Sequence, residues 1–85
     1  MRYCVWLQNG RGELSLPSEG ILSALEGVKM FLRGLDRGMR SQATVTQFDE
    51  QSFTPPPKLR TYKDLQKLIN DGKLEYVPPS QYDWL

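Results

Sequence analysis

The side chains that most often run catalysis are scarce in this sequence. It holds no histidine and a single cysteine, Cys4. Histidine is the commonest general base, the usual metal ligand and the usual activator of a serine or cysteine nucleophile. Cys4 lies inside a strand-forming run with only Arg2 near enough in sequence to depress its pKa, which reads as a buried structural thiol. With one cysteine and no histidine, a zinc site would depend almost wholly on carboxylates. Asp49 and Glu50 are adjacent, and adjacent residues of a strand point to opposite faces, so they make a poor acid–base pair. The glycines match neither the GxxxxGK phosphate loop nor the GxGxxG dinucleotide fingerprint. The expectation is a protein with no catalytic residues, no cofactor and no metal.

What remains is the chemistry of contact. Lys29, Arg33, Arg37 and Arg40 are spaced so that on one continuous helix they would span an arc of roughly 80°. Glu26 can pair with Lys29, and Asp36 interrupts the charge. Such a stripe is most often a solvated face; its functional reading is a seat for phosphate or for an acidic partner. The last residues, Tyr82-Asp83-Trp84-Leu85, form a tail in which Tyr82 and Trp84 either fold back or meet a partner. A second group of bases, Lys58, Arg60, Lys63 and Lys67, could join Arg33, Arg37 and Arg40 in one nucleic-acid-binding surface if the two expected helices lie side by side. Tyr62 and Phe53 would then supply stacking. Against that reading stands the net charge of +1, since dedicated nucleic-acid binders are usually more basic.

The elements that must carry these residues are read from periodicity. Ile21, Leu25, Val28, Leu32, Leu35 and Met39 are spaced 4, 3, 4, 3 and 4, the period of one helix face. The spacing predicts a long central helix that starts at Ser18 as N-cap and ends between Arg33 and Gly38, with Gly38 as a left-handed stop and Met39 just past it. Gly20, Gly27 and Gly34 would line one flank of it. Close packing on the chain's own sheet explains that flank best, and a homo-oligomer built on it is the alternative.

Residues 2–8 read as a strand with apolar groups on both faces, so it should be central or covered on both sides. Asn9-Gly10 signals a hairpin with a short return strand over residues 13–16. Residues 42–48 read as a further strand, with Phe53 returning to the core after it. TPPP at 54–57 is a stiff spacer. A second helix begins at Thr61 in an approximate capping box with Asp64 and ends at Gly72. Residues 73–77 form a last strand.

The order β-β-α-β-α-β predicts a small single-domain α+β sandwich over residues 1–85, with two helices packed on one face of a mostly antiparallel sheet and residues 79–85 as a flexible or docking tail. Hydrophobic residues make up 39% and charged residues 25% of the chain, ordinary values for a soluble globular protein. No segment reads as a signal peptide or membrane span, and the lone cysteine fits the reducing cytoplasm. The expected function is a small non-catalytic protein-binding module: an inhibitor, adaptor or accessory subunit with the profile of phage- or mobile-element-encoded proteins. Its candidate contact residues are Lys29, Arg33, Arg37, Arg40, Tyr82 and Trp84. Nucleic-acid binding through Lys58, Arg60, Lys63 and Lys67 is the alternative.

Overall fold

Residues 2–8 alternate Tyr3, Val5 and Leu7 with Cys4 and Trp6, so a strand made of them is apolar on both sides and must be covered twice. The computed structural model describes residues 1–82 and shows that solution. Three α-helices pack with an open, six-stranded antiparallel sheet to give a small α+β fold. The strands are β1 (Arg2–Gln8), β2 (Leu14–Ser15), β3 (Ile21–Leu22), β4 (Thr44–Phe48), β5 (Lys58–Leu59) and β6 (Glu75–Tyr76). The helices are α1 (Leu25–Arg33), α2 (Arg37–Gln42) and α3 (Tyr62–Asn70), with 3-10 turns at Ser18–Gly20 and Pro79–Gln81.

The strand order is β5-β2-β1-β4-β6, with β3 beside β1 off that path. On one side β1 pairs along β4, from Arg2 with Phe48 to Trp6 with Thr44. On its other side it meets β2 at Leu7 and Gln8, and β3 at Tyr3 and Cys4. The central, doubly covered strand is what the residue pattern predicts.

Two apolar cores form, one on each face. Cys4, Trp6, Phe48 and Leu14 pack under Leu65 of α3. Val5 and Val45 pack under Val28 and Leu32 of α1, together with Val77 and Tyr82. The expectation that both helices share one face is therefore corrected: α1 and α3 take opposite faces, because β1 has a buried stripe on each. Inside the first core the Trp6 Nε1–H donates to Thr46 Oγ1 at 2.9 Å, and both residues are fully buried.

The turn after β1 is held by Asn9. Its Oδ1 accepts from the N–H groups of Arg11 and Glu13, and its own N–H donates to Glu13 O. Gly12 takes the left-handed conformation, at φ +82°. The return strand then leaves the ladder and rejoins it. Between the Leu7–Ser15 and Cys4–Ile21 pairs, β1 covers three residues while the return strand covers six. The surplus is taken up around the 3-10 turn, where Leu16 N–H donates to Pro57 O at 2.8 Å and Gly20 packs against β1. A Cβ on Gly20 would stand 3.0 Å from Val5 O.

The long central helix is the expectation that fails. Residues 18–20 form a 3-10 turn without a side-chain cap from Ser18, and Ile21–Leu22 is a strand. A first helix then runs only over Leu25–Arg33, and a second over Arg37–Gln42. Asp36 makes the break, since its backbone is extended and its Oδ1 accepts from Met39 N–H at 2.8 Å to cap α2. Gly38 is therefore an ordinary residue of α2 and not a left-handed stop. The stripe divides accordingly: Val28 and Leu32 are buried, Ile21 and Leu25 are half-buried, and Met39 is exposed. The three glycines share no helix face either, because Gly20 precedes α1 and Gly34 is its exposed C-terminal cap.

The second predicted helix holds in position. Thr61 occupies the N-cap in extended conformation, although its side chain makes no capping bond and the capping box does not form. Gly72, at φ +79°, ends it, with Gly72 N–H to Ile69 O at 3.1 Å and Lys73 N–H to Leu68 O at 2.9 Å. The outer strands β5 and β6 are two residues each, with Pro57 before one and Pro78 just beyond the other. Short, proline-flanked edges offer little to an incoming strand.

Thr46→Val leaves the buried Trp6 N–H without an acceptor and should cost about 1–3 kcal/mol, read by denaturant unfolding, whereas Thr46→Ser should retain most of the stability. Gly20→Val should destabilise the chain, because the added side chain meets the backbone of a central strand, which cannot yield as a flexible side chain could. An unchanged unfolding midpoint for either Val variant refutes the corresponding contact.

Candidate functional site

The break at residues 34–36 decides where the basic residues go. On α2, Arg37 and Arg40 are one turn apart and lie on one side of the helix. Ser41 follows, its hydroxyl donating to Gly38 O at 2.8 Å. These three residues form one wall of an open cavity of about 640 Å³. Leu32 of α1, Ala43 at the start of β4, and Pro79 and Tyr82 after β6 complete it. Tyr82 is 9% exposed and belongs to the core beside Val28 and Leu32. The tail is thus folded back as far as Tyr82. Trp84, the other aromatic of the proposed tail contact, lies outside the described residues.

Arg37 is exposed and Arg40 half-buried, and neither side chain makes an ion pair or hydrogen bond among the described residues. The two ion pairs found there are elsewhere: Arg2 with Glu50, and Lys29 with Glu26 at 3.5 Å. Among the described residues, no acidic side chain lines the cavity. Of the predicted contact residues, Arg37 and Arg40 of the stripe and Tyr82 of the tail therefore come together. Lys29 and Arg33 stay on α1 and do not reach the cavity wall.

The second group of bases lies apart. Lys58 and Arg60 flank a smaller hollow of about 470 Å³ beside Asn9, Glu13, Leu14 and Ser15 at the β2–β5 edge. Lys63 and Lys67 are exposed on α3, across the sheet from α1. The two helices do not lie side by side, so the single basic surface that the nucleic-acid reading needed is not formed. Phe53 packs edge-to-face on Phe48, with ring centroids 6.4 Å apart, and is committed to the core.

The remaining chemistry-bearing groups are engaged locally. Asp49 accepts from Gln51 N–H and Ser52 Oγ–H, each at 3.0 Å. The backbone bond first, and then the hydroxyl, hold its carboxyl below the usual range. Glu50 pairs with Arg2. Burial pushes the Cys4 thiol up to about 12, against a smaller opposing effect from its hydrogen bond with Thr46. Among the described residues no three His, Cys, Asp or Glu side chains are grouped to hold a metal ion. No helix there is long and apolar enough to cross a membrane.

No protein family, curated protein or solved structure matches this chain. The cavity itself is what the periodicity concealed. Its signal was Asp36 at the head of Arg37-Gly38-Met39, a side chain suited to an N-cap that restarts a helix and turns its arginines toward the C-terminal segment.

Cys4 carries the pH prediction. Its thiol ionises near 9.0 in an unfolded chain and near 12 in the folded one. Its contribution to stability is thus complete below pH 9 and is lost as pH rises toward 12. Stability should fall across that window in the native sequence, and Cys4→Ala should flatten the slope despite being less stable throughout. At pH 8 the thiol should resist iodoacetamide until denaturant is added; rapid alkylation of the folded chain would contradict its burial.

Proposed function

We propose that this chain is a non-catalytic protein-binding module, an inhibitor, adaptor or accessory subunit, that acts by surface contact through the α2 groove. The observation that carries the reading is the meeting of Arg37, Arg40 and Tyr82 on one cavity. These side chains come from separate parts of the sequence, and a groove with an apolar floor and a cationic wall suits a protein partner. Arginine and tyrosine are also among the side chains that carry most binding energy at interfaces. Catalysis gains no comparable support: the one thiol is buried and neutral, and the adjacent carboxylates Asp49 and Glu50 each bind their own neighbours. A reducing compartment such as the cytoplasm belongs to the same reading, supported by a lone cysteine without an intrachain partner. Phage- or mobile-element-encoded regulators of a larger machine fit it in size.

Affinity capture from the source cell tests this with the full chain as bait, beside an Arg37→Glu/Arg40→Glu variant. Both substitutions sit on a surface helix, so unfolding stability should change by no more than about 0.5 kcal/mol each. A specific protein should be retained by the native chain and lost by the variant. Equal retention by both removes the groove from the reading, and no retained protein removes the reading itself. A short single-stranded oligonucleotide should show no salt-sensitive binding; a steep loss of affinity with salt would restore the nucleic-acid alternative.

A further inference from the structure

We infer that the groove between α2 and the Pro79–Gln81 turn takes an acidic, partly apolar segment of a partner protein, in which Asp or Glu side chains sit beside a hydrophobic one. This rests on the protein-binding reading and names the chemistry of its partner.

Among the described residues the wall supplies two guanidinium groups and no acid. Arg40 is half-buried, and neither its guanidinium nor that of Arg37 has an ionic or hydrogen-bonding partner among the described residues. A partly desolvated cation without a counter-ion is unfavourable until an anion meets it, and arginine presents a fork that carboxylates fit in bidentate fashion. Charge complementarity therefore calls for carboxylates. The other wall calls for something more than a bare anion. Leu32, Ala43, Pro79 and the Tyr82 ring are apolar surfaces in a space of about 640 Å³, within the range of cavities that enclose a drug-sized ligand. An isolated carboxylate or phosphate would leave that floor wet, whereas a peptide can fill it with an aliphatic or aromatic side chain.

The spacing fits as well. Arg37 and Arg40 have Cβ atoms about 5–6 Å apart on one helix face, and side chains two residues apart on an extended segment project about 6.7 Å apart on one side. Two acidic residues flanking one other residue can therefore each face an arginine. The hollow at the β2–β5 edge makes a contrast, because there Glu13 already stands with Lys58 and Arg60. A nucleic-acid backbone suits the groove less well. It needs a continued track of bases, and Lys58, Arg60, Lys63 and Lys67 lie at another edge and on the other face.

The test selects a randomised phage-displayed peptide library on the immobilised full chain at low salt. The best peptide is then synthesised and titrated by fluorescence anisotropy against the native chain and against Arg37→Gln, Arg40→Gln, Arg40→Lys and Lys63→Gln. Thermal melting of each variant checks its fold. Selected peptides should be rich in Asp and Glu beside aromatic or aliphatic residues. Arg37→Gln and Arg40→Gln should each weaken binding about tenfold or more, and Arg40→Lys less. Lys63→Gln should leave binding unchanged, and Glu→Gln in the peptide should match the arginine losses. Selected peptides without acidic residues overturn the inference, as do acidic peptides that bind the Arg37→Gln and Arg40→Gln chains as tightly as the native one. In both cases protein binding stands and only its assignment to the groove falls. An empty selection overturns the inference; only if cell capture also retains no protein does the protein-binding reading fall with it.

Discussion

A strand that is apolar on both faces imposes its requirements on everything around it. β1 buries Cys4 and Trp6 to one side and Val5 to the other, so neither face of the sheet can be left to water. Each fully buried side chain of this size contributes about 1.5–3 kcal/mol, which is large against the net stability of so small a chain. The indole of Trp6 adds a polar condition, because its N–H must be satisfied inside the core. Thr46 on the paired strand meets it, fixing β4 against β1 by a side-chain bond as well as by the ladder. A chain of 85 residues can cover two faces only by spending one short helix on each, and α1 and α3 are nine residues long apiece.

The same constraint explains which parts of the fold were legible in the sequence. β1, the Asn9 turn, β4 and the helix from Thr61 to Gly72 are specified by local chemistry: alternation, an Asx side chain that caps a turn, and a glycine free to take positive φ. The segment over residues 18–40 misleads because its apolar spacing satisfies two descriptions at once. Ile21 faces a core as part of a strand, Leu25, Val28 and Leu32 as part of a helix, and Leu35 as part of the link between helices. A period of 3.6 thus survives across a turn, a strand and two helices. What separates the two descriptions is one local residue. Asp36 reads as a late interruption of charge on a long helix, yet it is the start of a new one. The helix placement was equally hidden, since periodicity tells which side of a helix is buried but not which face of the sheet it meets.

Breaking the helix also redistributes charge. On a continuous rod Lys29, Arg33, Arg37 and Arg40 would share a flank. The extended backbone at Asp36 reorients the second pair, so Arg37 and Arg40 turn toward the C-terminal segment while Lys29 stays by Glu26. The sheet then separates both pairs from the bases of α3. In a molecule with a net charge of +1, Arg37 and Arg40 thus meet at one groove, while Lys58, Arg60, Lys63 and Lys67 lie at another edge and on the other face.

That groove is not an accessory to the fold. Leu32 and Tyr82 belong to the core over Val5 and Val45, and both also line the cavity. The floor of the groove is therefore the outer layer of the packing that covers one face of β1. Any ligand that binds the folded chain and not the unfolded one stabilises it by mass action; here the mechanical route is visible as well. Filling the cavity supports Tyr82 from outside, and Tyr82 in turn holds the segment after β6 against α1. Arg40 stands at the border between the two, half-buried and without a counter-charge among the described residues. The neutral and apolar parts of the chain build the sheet and its two covers, and at the groove they leave two arginine side chains without an ionic partner among the described residues.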